Sequence, residues 1–172
     1  MDAPAVTDPA RRALVITAST RAAAGTWADT SGPLLAEGLR GLGLAVDGPV
    51  VVSDGEPVRA ALLQAVADGY DLVVTTGGTG HTPHDLTPEM TRAVIDRESP
   101  GLAEAVRAHG VASGVPTAVL SRGVAGLAGR TLIVNLPGSP GGVKDGLAVL
   151  CPVVMHAIDQ IHGGDHPSGT SG

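Results

Sequence analysis

Five short aliphatic runs do most to limit what this chain can fold into. They are "ALVITAS" (13–19), "PVVVS" (49–53), "DLVVTT" (71–76), "TAVLS" (117–121) and "TLIVNL" (131–136). Runs of Val, Ile, Leu and Thr bounded by turn residues read as strands buried on both faces. Segments with helical spacing stand between them. "PLLAEGLRGLGL" (33–44) carries a proline in its first turn, and "EPVRAALLQAVADGY" (56–70) repeats apolar residues at Val58, Leu62, Ala65 and Val66. "GLAEAVRAHGVASG" (101–114) is a further helix. Thr87-Pro88-Glu89 opens another, with Thr87 as N-cap, that runs to Asp96, and a last helix runs from Gly142 to Ile161. Alternating strand and helix predict an α/β fold, a three-layer sandwich with a mostly parallel central sheet.

Composition agrees. The chain has 172 residues, 43% of them hydrophobic, yet only one Trp, one Tyr and no Phe, so its core must be aliphatic. A chain so poor in aromatic rings does not suit nucleic-acid binding by base stacking. With 11 basic and 17 acidic residues the net charge is −6, so an anionic ligand needs a local site against the overall field. One cysteine, Cys151, excludes an internal disulfide and fits a reducing compartment. No apolar run is long enough to span a membrane, and the start of the chain is a poor signal peptide. A cytoplasmic location is therefore expected. The expected organisation is one domain over 13–162, with flexible tails at 1–12 and 163–172.

In open α/β sheets ligands bind outside the carboxyl ends of the strands. That rule gathers the loops 20–32, 53–57, 77–86 and 137–142 on one rim. "TTGGTG" (75–80) follows a strand directly. Its Gly77, Gly78 and Gly80 can turn successive N–H groups toward an anion, with hydroxyls from Thr75, Thr76 and Thr79, or can simply form a tight turn. It is neither a P-loop nor a dinucleotide fingerprint. Asp54 and Asp85 lie on the same rim. Two carboxylates beside a polyphosphate suit Mg²⁺, although each also reads as an ordinary turn residue. In "NLPGSPGG" (135–142), Gly138, Ser139 and Gly141 offer further donors, with an ordinary strand-turn-helix connection the stronger reading; Lys144 reaches a phosphate or is solvated. Asp29, Thr30 and Ser31 are candidate helix caps. Trp27, in a long first loop, either covers a flat heterocycle or packs a hydrophobic corner. The histidines, including His81 and His84, form no convincing zinc site, and no Ser–His–Asp or Cys–His arrangement is evident.

Several motifs occur in order: "TASTRAAAGTWADTSG", "VVSDGEP", "DLVVTTGGTGHTPHDLTPEMT", "SPGLAEAVR", "LSRGVAGLAGRTLIVNLPGSP" and "HAIDQI". Together they resemble the molybdopterin-binding domain family, which includes bacterial Mog and MoaB proteins, a plant G domain and the G domain of gephyrin. The resemblance implies a molybdopterin adenylyltransferase acting in molybdenum cofactor biosynthesis. ATP and molybdopterin would be its substrates, Mg²⁺ its cofactor and pyrophosphate a product. It also implies a homotrimer in transient contact with other proteins of that synthesis; the alternative it leaves is a non-catalytic MoaB-type carrier. The family's catalytic aspartates fall on Asp54 and Asp85. Its phosphate loop matches Thr76, Gly77, Gly78, Thr79 and Gly80, and its second ligand wall matches Ser121, Asn135, Pro137, Gly138 and Ser139. Two positions depart from the family pattern: His84 stands where arginine is common, and Thr20 where aspartate is common.

Overall fold

The structure, a computed structural model, describes residues 10–164; most of both expected tails, 1–9 and 165–172, lies outside the described residues. One sheet contains β1 (Arg12–Ala18), β2 (Ala45–Val52), β3 (Leu72–Thr76), β4 (Arg97–Glu98), β5 (Ala125–Ala128) and β6 (Thr131–Leu136), in the order β2-β1-β3-β6-β5-β4. β2, β1, β3 and β6 run parallel, while β5 and β4 add an antiparallel edge. The helices are α1 (Thr20–Ala23), α2 (Ser31–Arg40), α3 (Glu56–Ala67), α4 (Thr87–Arg92), α5 (Pro100–Ala112), α6 (Pro140–Leu150) and α7 (Val154–Ile161).

Side chains on a strand alternate between faces, and here both faces are covered. Ala13 and Val15 of β1, Leu72 and Val74 of β3, and Leu132 and Val134 of β6 pack against α2, α5, α6 and α7 through Leu35, Leu39, Val106, Val143, Leu150 and Ile158. The intervening Leu14, Ile16, Val73 and Ile133 meet Val58 and Leu62 of α3, with Met90 of α4 beside them. The three-layer sandwich expected from the aliphatic runs is the fold observed. No single helix among the described residues is long and apolar enough to cross a membrane.

Four local expectations differ from the structure. "TAVLS" is no strand: Pro116–Leu120 forms a 3₁₀ turn, with Val119 62% and Leu120 51% exposed. Pro116 has no N–H for a ladder and its fixed φ suits a helical first turn. The sheet position goes instead to "AGLA" of β5, where a Cβ on Gly126 would lie 2.5 Å from the Arg97 carbonyl oxygen. The last helix breaks into α6 and α7 around Pro152 with a 59° bend, because proline cannot continue the helical ladder. α2 starts at Ser31, ahead of Pro33, because the Asp29 carboxylate accepts the Gly32 N–H at 2.9 Å. Thr87 is not the N-cap of α4; Leu86 is, and the Thr87 hydroxyl is buried with no hydrogen-bond partner.

Asn135 lies at the centre of the sheet's ligand-facing end. Its amide nitrogen donates to Thr75 Oγ1 at 3.0 Å and Thr91 Oγ1 at 2.9 Å, and its oxygen accepts the Val124 N–H at 3.1 Å. One buried side chain thus ties β6 to β3, α4 and the segment entering β5. Asn135→Leu strands the Val124 N–H and removes the amide donor that two buried hydroxyl oxygens accept from. At roughly 1–3 kcal/mol for each buried polar group left unsatisfied, we expect a loss of about 2–5 kcal/mol. The urea midpoint should fall with an unchanged slope; an unchanged midpoint contradicts this role.

Candidate active site

The loops after β1, β2, β3 and β6 converge at the carboxyl ends of the parallel strands, as the topology requires. They enclose two adjoining clefts. The first, about 630 Å³, is lined by Thr20, Trp27, Asp54, Thr76, Gly77 and His84 among others. The second, about 520 Å³, is lined by Thr79, Gly80, Arg107, Ser121, Pro137 and Ser139 among others. Gly78, Asp85 and Gly138 belong to both, so these residues form the wall between the clefts.

The glycine turn is shaped by close approach. Gly77 has φ +97°, and a Cβ there would meet the Ala18 carbonyl oxygen at 2.4 Å. Gly78 has φ +66°, and a Cβ would lie 2.2 Å from Thr87 Oγ1 and 3.0 Å from Asp54 Oδ1. Neither position tolerates a side chain, for conformational and steric reasons together. The turn also sorts its polar groups. The carbonyl of Gly78 accepts the Thr87 N–H at 3.1 Å, that of Thr79 accepts the Arg122 N–H at 2.8 Å, and that of Gly80 accepts Arg122 Nε at 2.8 Å. The N–H groups of Gly78, Thr79 and Gly80 donate to no acceptor among the described residues. A run of free donors with occupied carbonyls is a concavity suited to an anion.

Arg122 organises this side of the site, and sequence reasoning did not single it out. Its guanidinium donates to the Gly80 carbonyl, to the Asp85 carbonyl at 2.6 Å and to the Glu89 carboxylate. The Arg122 hydrogen bond holds the Glu89 carboxyl below its ordinary range, and the same bond raises the guanidinium. Glu89 and Arg122 are 33 positions apart, so no local spacing pairs them. The only trace in the sequence is the "LSR" motif itself. Arg107 was missed likewise; it donates to the Ser121 and Gly123 carbonyls at 3.2 and 2.9 Å and so holds the far wall of the second cleft.

The two aspartates use similar geometry. Asp54 Oδ2 accepts the Thr20 N–H at 3.1 Å and the Thr20 hydroxyl at 2.8 Å, while the Asp54 N–H returns a bond to Thr20 Oγ1 at 3.2 Å. Thr20 therefore braces Asp54, where an aspartate would have repelled it. Asp85 Oδ2 accepts the Thr82 N–H at 2.9 Å. Each carboxylate keeps its Oδ1 without a hydrogen bond among the described residues.

The other candidates divide by location. Thr76 lines the first cleft, but its hydroxyl donates to the Pro137 carbonyl at 2.7 Å and joins the two glycine-containing loops. Ser139 lines the second cleft and caps α6 by accepting the Gly142 N–H at 3.0 Å. Ser121, Pro137 and Gly138 also stand on the second cleft. Asn135 lines neither cleft; its amide faces Thr75, Thr91 and Val124, so it supports a wall from behind. Thr75 is turned inward with it. Lys144 is exposed and lines neither cleft. Asp29 bridges Thr17 Oγ1, at 2.8 Å, and the Gly32 N–H, which makes it the helix-start brace among the three cap candidates. Among the described residues no three His, Cys, Asp or Glu side chains cluster as a metal site.

A mostly parallel α/β sandwich whose strand ends hold two clefts across a donor-rich glycine turn is an α/β domain with a site suited to anionic small ligands. Residues 14–156 match the family described as probable molybdopterin binding domain, and the chain belongs to that family. It is 37% identical over 154 residues to a molybdopterin adenylyltransferase of Helicobacter pylori strain J99, covering 87% of this chain and 86% of that protein. It is 39% identical over 157 residues to a molybdenum cofactor biosynthesis bifunctional protein of Chlorobaculum tepidum, spanning 90% of this chain and half (50%) of that protein's length. The solved structure of a molybdopterin biosynthesis Mog protein from Mycobacterium ulcerans superposes with a TM-score of 0.86 at 56% identity, covering 91% of this chain and 99% of that one.

The Arg122–Glu89 pair has a pH signature. Because folding lowers the Glu89 pKa from 4.5, the pair contributes stability above the unfolded glutamate range and loses it as pH falls through the lowered value. Stability measured from about pH 6 down to pH 3 should therefore fall less steeply in Glu89→Gln than in the wild type. Parallel curves would remove the pair from the account.

Proposed function

We propose that this chain is a molybdopterin adenylyltransferase of molybdenum cofactor biosynthesis. It transfers the adenylyl group of ATP to the terminal phosphate of molybdopterin and releases pyrophosphate. The observation that carries this reading is the pair of clefts meeting at Gly78, Asp85 and Gly138, which gives two ligands separate chambers and one common wall. Relatives named molybdopterin adenylyltransferase that align over most of the chain support the same reaction.

We assign ATP to the first cleft, which contains both carboxylates, and the pterin to the second. A phosphate oxygen of the pterin forms the new bond to the α-phosphorus of ATP, and the bond from that phosphorus to pyrophosphate breaks. The attacking oxygen is already anionic, so no strong base is required, and positioning dominates the rate. The free N–H of Gly78 at the common wall, with those of Thr79 and Gly80 beside it on the second cleft, is suited to hold phosphate oxygens. Thr20 and the Thr82 N–H orient the Asp54 and Asp85 carboxylates so that an Oδ1 of each is available to a cation. Two such oxygen donors beside a triphosphate fit Mg²⁺, which takes one or two carboxylates with phosphate oxygens and water. When bound, it supplies charge neutralisation on the triphosphate. The same reading has the chain acting in the cytoplasm as a homotrimer, in transient contact with other proteins of the synthesis.

Pyrophosphate release from Mg²⁺-ATP and molybdopterin tests the proposal. Asp54→Asn and Asp85→Asn should each lower turnover by about 100-fold or more while retaining pterin binding. A wild type that binds the pterin and releases no pyrophosphate would establish the carrier function instead.

A further inference from the structure

Trp27 is the only indole of a chain without phenylalanine, and it does not pack a hydrophobic corner. It is 59% exposed, and both it and Arg21 line the first cleft. The Arg21 guanidinium lies 4.4 Å from the centre of the indole ring, a cation–π stack. The stack is built into the backbone. The Thr26 N–H and the Thr26 hydroxyl both donate to the Arg21 carbonyl, each at 3.0 Å, and the Gly25 N–H donates to the Ala22 carbonyl at 3.0 Å. On the other side of Trp27, Asp29 is fixed by Thr17 and Gly32. Trp27 is thus held between two anchored points, with its ring left at the mouth of a cleft that contains Asp54 and Asp85.

We propose that Arg21 and Trp27 form the platform on which the base of the bound nucleotide stacks. This deepens the adenylyltransferase reading and rests on its assignment of ATP to the first cleft. A nucleotide presents a flat heterocycle at one end and phosphates at the other, and this cleft offers a stacking surface together with both carboxylates and the Gly78 N–H. A pterin is also flat, but the second cleft contains no Trp or Tyr and shares only the phosphate wall with the first. Stacking reads a π-face and not a base edge, so the platform gives affinity for a nucleobase without choosing among bases.

Calorimetry with ATP, inorganic tripolyphosphate and a pterin phosphate, on wild type, Trp27→Ala and Trp27→Tyr, tests this directly. Trp27→Ala should weaken ATP binding by about 10-fold or more, the range of one lost base stack, and leave tripolyphosphate and the pterin unchanged. Trp27→Tyr should restore most of the affinity. In the wild type, ATP should quench the single indole's fluorescence and tripolyphosphate should not. The proposal is overturned if Trp27→Ala binds ATP as the wild type does, or if the pterin and not ATP loses affinity. Pyrophosphate release by Trp27→Ala with an unchanged KM for ATP would remove the platform and leave the transferase standing. A wild type that binds no ATP would remove both.

Discussion

The guanidinium of Arg122 donates to the Gly80 and Asp85 carbonyls and to the Glu89 carboxylate, while its backbone N–H reaches the Thr79 carbonyl. With the Thr87 N–H on the Gly78 carbonyl, every carbonyl from Gly78 to Gly80 is occupied from behind. The N–H groups of the same three residues have no acceptor among the described residues. That polarity is what a chain of net charge −6 needs in order to receive a phosphate: a local, oriented set of donors set against an unfavourable overall field. Arginine suits the position because its rigid fork serves several acceptors at once, which a lysine point charge does not. Since Glu89 neutralises Arg122, the residue acts by fixing geometry more than by attracting a ligand.

The same economy of position recurs around the rim. Asn135 fixes β3, α4 and β6 to one another just beneath the turn, and Thr76 joins the turn to the Pro137 loop. Thr20 braces Asp54, and the Thr82 N–H braces Asp85. Loops at a strand end are mobile by default; these are fastened by hydrogen bonds between segments, so Asp54 keeps a fixed place in the first cleft and Asp85 one on the wall between the two. The first cleft gains a stacked Arg21–Trp27 surface at its mouth. The arrangement suits two ligands whose reacting ends meet.

Much of the fold was legible because its core is aliphatic. Buried parallel strands such as Leu72–Thr76 have no solvated face and read as continuous runs, and α3 showed its apolar spacing. What failed were segments whose state depends on neighbours. Val119 and Leu120 have strand-like composition but find no pairing partner, whereas the small residues of β5 become a strand because Gly126 lets Arg97 approach. Pro152 was a visible break inside a pattern otherwise apolar enough to read as one helix. At the site, Gly77, Gly78, Asp54 and Asp85 could be gathered by the rule that ligands sit at strand ends. Arg122, Glu89 and Arg107 could not, since their partners are separated in sequence and joined only by tertiary packing. Asn135 illustrates the converse: the family resemblance puts it on a ligand wall, and its hydrogen bonds turn inward.

In the proposed reaction an adenylyl group changes hands at the wall shared by the two clefts. Single turnover with ATP labelled either at the α- or at the γ-phosphorus, in the presence of molybdopterin and Mg²⁺, reads that step atom by atom. The α-label is expected on the pterin and the γ-label in the released pyrophosphate. A γ-label on the pterin, or an α-label that remains on free nucleotide while the pterin stays bound, would contradict it.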